Sequence, residues 1–143
     1  MSLTDGGNLR ANGAFSNISD RRIKKEIVDV DDEDSLNKIL LVQCKKYKYI
    51  DETKGTNFVT GFIAQQILEI IPEAVQIATE PLNEGDEIQD FHYLDKMMIY
   101  THNVAATQEL HRTITRQQTI IDGLITRIEV LENSKVNFFF SNI

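Results

Sequence analysis

The chain has 143 residues, of which 41% are apolar and 26% charged. That suits one domain, or a small domain with an extension, able to bury about two-thirds of its unfolded surface. A net charge of −7 argues against a nucleic-acid surface spread over the whole domain, because phosphates demand a basic face. The single cysteine, Cys44, allows neither an intrachain disulfide nor a cysteine-based zinc site, and His92, His102 and His111 form no HxxxH pair. No basic-then-apolar leader opens the chain, and no apolar run approaches the roughly 18 residues of a spanning helix. A soluble, cofactor-free chain is expected. Met1-Ser2-Leu3 is compatible with a cloning scar, in which case the natural chain begins upstream.

Residues 4–18 hold three of the seven glycines and no helical period. They read as extended chain, the end of a repetitive β structure whose partners lie elsewhere. In SDRRIKKEIVDV, residues 19–30, Ile23 and Ile27 suggest a short turn or helix, and the alternation of Val28 and Val30 a strand. DDED at 31–34 precedes Leu36, Ile39 and Leu40, the spacing of a short amphipathic helix over 35–42 with Asp34 or Ser35 as N-cap. CKKYKYI at 44–50 alternates, with Tyr47 and Tyr49 on one face and Lys46 and Lys48 on the other. DETKGTN is a turn. FVTGFI at 58–63 is a second strand in which Gly61 marks a bend or close backbone approach. AQQILEII at 64–71 is a helix stopped by Pro72. Residues 78–90 read as a polar loop or hairpin, and IQDFHYL as a third strand.

From Asp95 to about residue 135 the pattern is one long helix. Leu110, Ile114, Ile121, Leu124, Ile128 and Leu131 fall on alternating steps of three and four, with isoleucine at a and leucine at d. Gln117 fills the remaining d position as a polar layer. Arg127 at g and Glu132 at e are placed for an interchain ion pair. Such a helix projects some 50 Å or more, too far for a core this small, so it predicts self-association through a parallel coiled coil. Isoleucine at a with leucine at d favours two strands, whereas Ile120 and Ile125 widen the apolar face toward three; the spacing leaves both open.

One constellation could carry chemistry: Ser19-Asp20-Arg21-Arg22-Ile23-Lys24-Lys25. A serine hydroxyl needs a base, and a lysine serves only when neutral. Moving a lysine from about 10.4 to near 7 requires on the order of 4 to 5 kcal/mol from burial and neighbouring positive charge, for which Arg21, Arg22 and Lys25 are candidates. A spacing of five separates the two side chains on a regular helix or strand, so the chain must bend for them to meet. The residues alone favour Ser19 as a helix or turn cap and RRIKK as a solvated or phosphate-touching basic run over the nucleophile and base. Asn17-Ile18-Ser19 also matches a glycosylation sequon.

SDRRIKKEI, then a helix, KKYKY, TGFIAQQILEIIPEAV and a long THNVAATQEL helix together resemble the peptidase S74 family, over about residues 16–135. This is the intramolecular chaperone auto-processing domain of phage endosialidase tailspikes and tail fibres, and the blocks are also similar to the corresponding region of myelin regulatory factor. The resemblance implies an α+β fold of short strands and helices with a long C-terminal helix in a trimeric parallel coiled coil. It divides the chain into the end of an upstream fibre or β-helical stalk (1–18), an auto-processing core (19–95), the coiled-coil helix (96–135) and a tail (136–143). It implies a serine endopeptidase acting once, in cis, with Ser19 as nucleophile, Lys24 as general base and the scissile bond adjoining Ser19. The trimer interface is then Leu110, Ile114, Gln117, Ile121, Leu124, Ile128 and Leu131. Implied partners are two further copies and the chain's own upstream segment, with neither nucleic acid nor membrane contact. The setting implied is a virion fibre precursor made in the host cytoplasm, whose chaperone part is released after assembly. Gln66 stands where many relatives carry Glu, and the Phe138-Phe139-Phe140 run has no counterpart in the family pattern. The alternatives are a non-cleaving trimerisation cap, on a fibre or a membrane-tethered regulator, and a coiled-coil adaptor that binds nucleic acid through RRIKK.

Overall fold

The computed structural model describes residues 2–3, 9–10, 18–79 and 89–141, with the side chains of 2–3, 9–10 and Phe139 outside that description. The expected extended tail therefore lies outside it over 4–8 and 11–17, as does the expected loop over 80–88. The chain forms two compact units, one of residues 1–30 and 41–96, the other of residues 31–40 and 97–143.

Among the described residues the first unit contains three two-stranded antiparallel sheets. At its N-terminal end β1, Ser2–Leu3, pairs with β2, Leu9–Arg10. No strand forms at Val28 and Val30: this backbone has no ladder partner among the described residues, and both side chains are exposed. Ahead of it the expected short turn does form, as a 3₁₀ turn at Arg21–Ile23, and Glu26 takes a left-handed conformation at φ 53°.

The second sheet pairs β3, Lys45–Tyr47, with β4, Val59–Gly61. The alternation is as expected. Tyr47 and Tyr49 meet edge-on at 5.6 Å, while the Lys46 and Lys48 ammoniums both lie about 5 Å from the Phe58 ring. Gly61 sits directly against Tyr47, where a Cβ would come within 3.1 Å of the phenol oxygen. In the connecting turn Gly55 adopts φ 106°, which side chains with a Cβ rarely tolerate.

Helix α2 covers only Ala64–Leu68, three residues short of the expected end. Pro72 disfavours helical geometry in the residue before it, and Ile71 accordingly has φ −132°, ψ 73°. The chain restarts as a 3₁₀ turn, Pro72–Ala74, and runs directly into β5, Val75–Ala78, a strand the sequence reading did not anticipate. Its partner is the expected strand, here β6, Phe91–Leu94, in the register Val75 to Leu94 and Ala78 to Phe91. Asp95 N–H donates to Ala74 C=O at 2.8 Å and closes this sheet at its Val75–Leu94 end. The core lies where α2 and the Pro72 turn meet β5 and β6: Ile67, Ile71 and Ala74 are at most 1% exposed.

The second unit holds α1, Asp32–Leu41, and α3, Lys96–Phe140, apart from their boundary residues Leu41 and Lys96, which belong to the first. Helix α1 starts earlier than expected, and its cap is Asp31, whose carboxylate accepts the Asp34 N–H at 3.0 Å. Ser35, expected as a cap, is instead fully buried inside the helix. Its hydroxyl donates to Asp31 C=O at 2.6 Å and lies 2.9 Å from His102 Nδ1 of α3. A serine has one proton to give, so His102 Nδ1–H is the donor in the second bond. Arg112 of α3 pairs with Asp32 and with Glu109, and Arg116 also reaches Glu109. Helix α3 continues five residues past the expected end at 135.

Within α3 the buried and half-buried positions Ile99, His102, Ala106, Glu109 and Thr113 form one stripe. The a/d stripe is different and open, from 45% exposure at Leu110 to 64% at Leu131.

Replacing Ile71 with alanine opens a cavity at the best-covered point of the first unit and should cost about 2 to 5 kcal/mol in urea unfolding. Ile50→Ala, at a fully solvated side chain, should stay within about 0.5 kcal/mol. Equal losses would show that the core is elsewhere.

Candidate functional site

Ser19 and Lys24 both belong to the first unit, on either side of the Arg21–Ile23 turn. The turn is built locally. Ile23 N–H donates to Asp20 C=O at 3.2 Å and Lys24 N–H to Arg21 C=O at 3.1 Å, reversing the chain within five residues. Asp20 is the cap: its carboxylate accepts the Arg22 N–H at 2.8 Å and also holds the Arg22 guanidinium through Nε at 3.0 Å and Nη2 at 2.7 Å. An aspartate at this position satisfies an orphan N–H at the turn's start, and the guanidinium fork locks the side chain that does so.

The consequence is the bend that the spacing requires. Lys24 Nζ donates to Ser19 Oγ at 2.5 Å. Both side chains are exposed. With a neutral amine this contact runs the other way, hydroxyl to nitrogen, and the serine proton has a place to go.

The basic run around the pair is less positive than its composition suggests. Arg22 is paired with Asp20 at 2.7 Å and Lys25 with Glu26 at 4.0 Å. Among the described residues only Arg21, of the three candidate charge sources, makes no ion pair. The Arg22 guanidinium, followed by the Arg22 N–H, holds the Asp20 carboxyl below its ordinary value.

The seven predicted interface positions lie along α3 in the second unit. Leu110, Ile114, Gln117, Ile121, Leu124, Ile128 and Leu131 share one open stripe, with Ile120 and Ile125 exposed on its flanks. Gln66 lines an open hollow of about 380 Å³ with Leu41, Gln43, Glu69 and Ile70. Among the described residues no three histidine, cysteine or acidic side chains converge as metal ligands, and no helix is long and apolar enough to cross a membrane. Asp20 is the residue that sequence reasoning passed over. Its signal was present, an aspartate two positions before an arginine at a turn start.

Residues 19–76 match a family model described as Peptidase_S74, chaperone of endosialidase. An uncharacterised protein, VP1, of Micromonas pusilla reovirus is 45% identical over 60 residues, 41% of this chain and 3% of its own length. An uncharacterised Dictyostelium discoideum protein is 29% identical over 142 residues, 93% of this chain and 12% of its own. Myelin regulatory factor homolog 1 of Caenorhabditis elegans is 26% identical over 135 residues, 88% of this chain and 13% of its own. The chain thus spans a small part of each.

Because Asp20 has a lowered folded value, its cap contributes stability above the unfolded carboxyl value of about 3.9 and loses it as pH falls through the folded value. Carboxyl titration followed by NMR should place Asp20 below that reference. Arg22→Ala should move it back up, and an unmoved titration would refute the pairing.

Proposed function

We propose, on the premise that residues 19–76 form a peptidase S74 domain of the chaperone-of-endosialidase family, that this chain is a self-cleaving intramolecular chaperone. Three copies associate through α3, hold their upstream segments together while these fold, and are then cut free next to Ser19. The observation that supports the reading most is the 2.5 Å contact between Lys24 Nζ and Ser19 Oγ across a capped turn, at the first residue of the family match.

The proposed chemistry is an acyl transfer to Ser19. Neutral Lys24 takes the hydroxyl proton while Oγ adds to the carbonyl carbon of Ile18. That attack closes a five-membered ring, whereas attack on the serine's own carbonyl would close a strained four-membered one, so the Ile18–Ser19 bond is the one that breaks. The lysine returns the proton to the departing Ser19 nitrogen. The Ile18 ester left on Oγ is then hydrolysed by water. Proximity stands in for a substrate pocket, since nucleophile and scissile bond are adjacent in one chain.

Both members of the pair stand in water in the single chain, which suits an enzyme that waits. A lysine base needs desolvation, and association is the event that can supply it. The parallel arrangement follows from the role, because three upstream segments must leave one end together. The same exposure also favours a second reading, a trimerisation cap that never cuts.

Intact-mass analysis separates the two readings. A product beginning at Ser19, absent in Ser19→Ala and Lys24→Ala but present in Lys25→Ala, is expected. Equal cleavage in both lysine variants would sink the assignment, and an uncut parent would leave the cap.

Light scattering should report three chains, and the cut fraction should rise with trimer as concentration increases. Replacing Ile121 and Ile128 with aspartate puts charges in the seam at on the order of several kcal/mol per chain, so both trimer and cleavage should be lost. Undiminished cleavage in such a monomer would refute the dependence.

A further inference from the structure

We propose that the self-association seam continues past residue 135, with Phe138 as an apolar layer at d and two further copies of this chain as the occupants of that face. The proposal rests on the trimer reading above and extends it beyond residue 135.

Helix α3 runs unbroken through Phe140, and Ser141 N–H still bonds to Asn137 C=O at 3.1 Å. The register therefore carries through. From Leu131, steps of four and three land on Lys135 at a and Phe138 at d, continuing the alternation that begins at Leu110. Phe140 falls at f, roughly 200° further round the helix. The two rings are similarly exposed in the single chain, 68% and 74%. Register, not exposure, distinguishes them.

The lysine layer at position 135 does not break the seam. A lysine lays its methylene stem along apolar neighbours and carries its charge outward. An aromatic ring in the next layer is itself a favourable neighbour for a cation. Phe138 then adds an apolar layer to a seam whose preceding apolar layers are isoleucine and leucine. A bilayer surface or an unrelated apolar partner would draw on Phe138 and Phe140 alike, because neither needs the heptad register.

Sedimentation equilibrium on the full 143-residue chain tests this, using F138S, F140S and F138L. The concentration at half-association should rise about tenfold or more for F138S, the loss expected from one buried aromatic layer. It should move no more than about twofold for F140S and for F138L, which keeps an apolar d residue. Equal weakening by F138S and F140S, no change in F138S, or a loss in F138L as large as in F138S would overturn the proposal. So would binding to phosphatidylcholine vesicles that both serine variants abolish. A parent chain that never associates would bring down the trimer reading itself, whereas an associated parent indifferent to F138S overturns only this extension.

Discussion

A mismatch of lengths governs the second unit. Helix α3 has 45 residues and α1 has ten, about 67 Å against about 15 Å at 1.5 Å per residue. Helix α1 can therefore meet only the first turns of its partner, and it does so through side chains at His102 and Arg112. Everything beyond must either remain a solvated helix with an apolar stripe or find that stripe elsewhere. Amphipathic helices draw most of their stability from packing that face, and the a/d stripe is the face left open. The proposed association meets that need, with partners that carry the same stripe.

The first unit solves a different problem. A hydroxyl and an amine five residues apart do not meet on any regular element, so a turn had to be specified in a segment with no buried core of its own. Asp20 and Arg22 specify it, one as cap and the other as the clamp on that cap. The arrangement uses charge for geometry: most of the positive run beside the lysine is already paired with carboxylates. Water exclusion is then the larger lever in the proposed reaction, which is why catalysis and assembly are linked in it.

Much of this was legible in residue types because the period was strong. The a/d alternation of α3, the KKYKY strand and the Gly61 contact needed only spacing. The strand at Val75–Ala78 escaped because its alternation is four residues long and begins directly after a proline turn. The second stripe of α3 was hidden for another reason: Ala106, His102 and Glu109 are not apolar enough to mark a face, yet they pack or pair on one. The cap of α1 could not be chosen among Asp31, Asp32 and Asp34 by residue type, since all are acids suited to a helix start. The strand expected at Val28 and Val30 had the right residues and lacked a ladder, which no local pattern can supply. The Ser19–Lys24 pair lies between these cases. The spacing demanded a bend, but only the Asp20 cap says how the bend is held.

Cys44 stands exposed just ahead of β3, with no other thiol in the chain. A maleimide dye there attaches once per polypeptide and lies outside both the Asp20 turn and the α3 stripe. Stepwise photobleaching would then count subunits one particle at a time. The chain carries its own stoichiometric handle, with no residue to engineer.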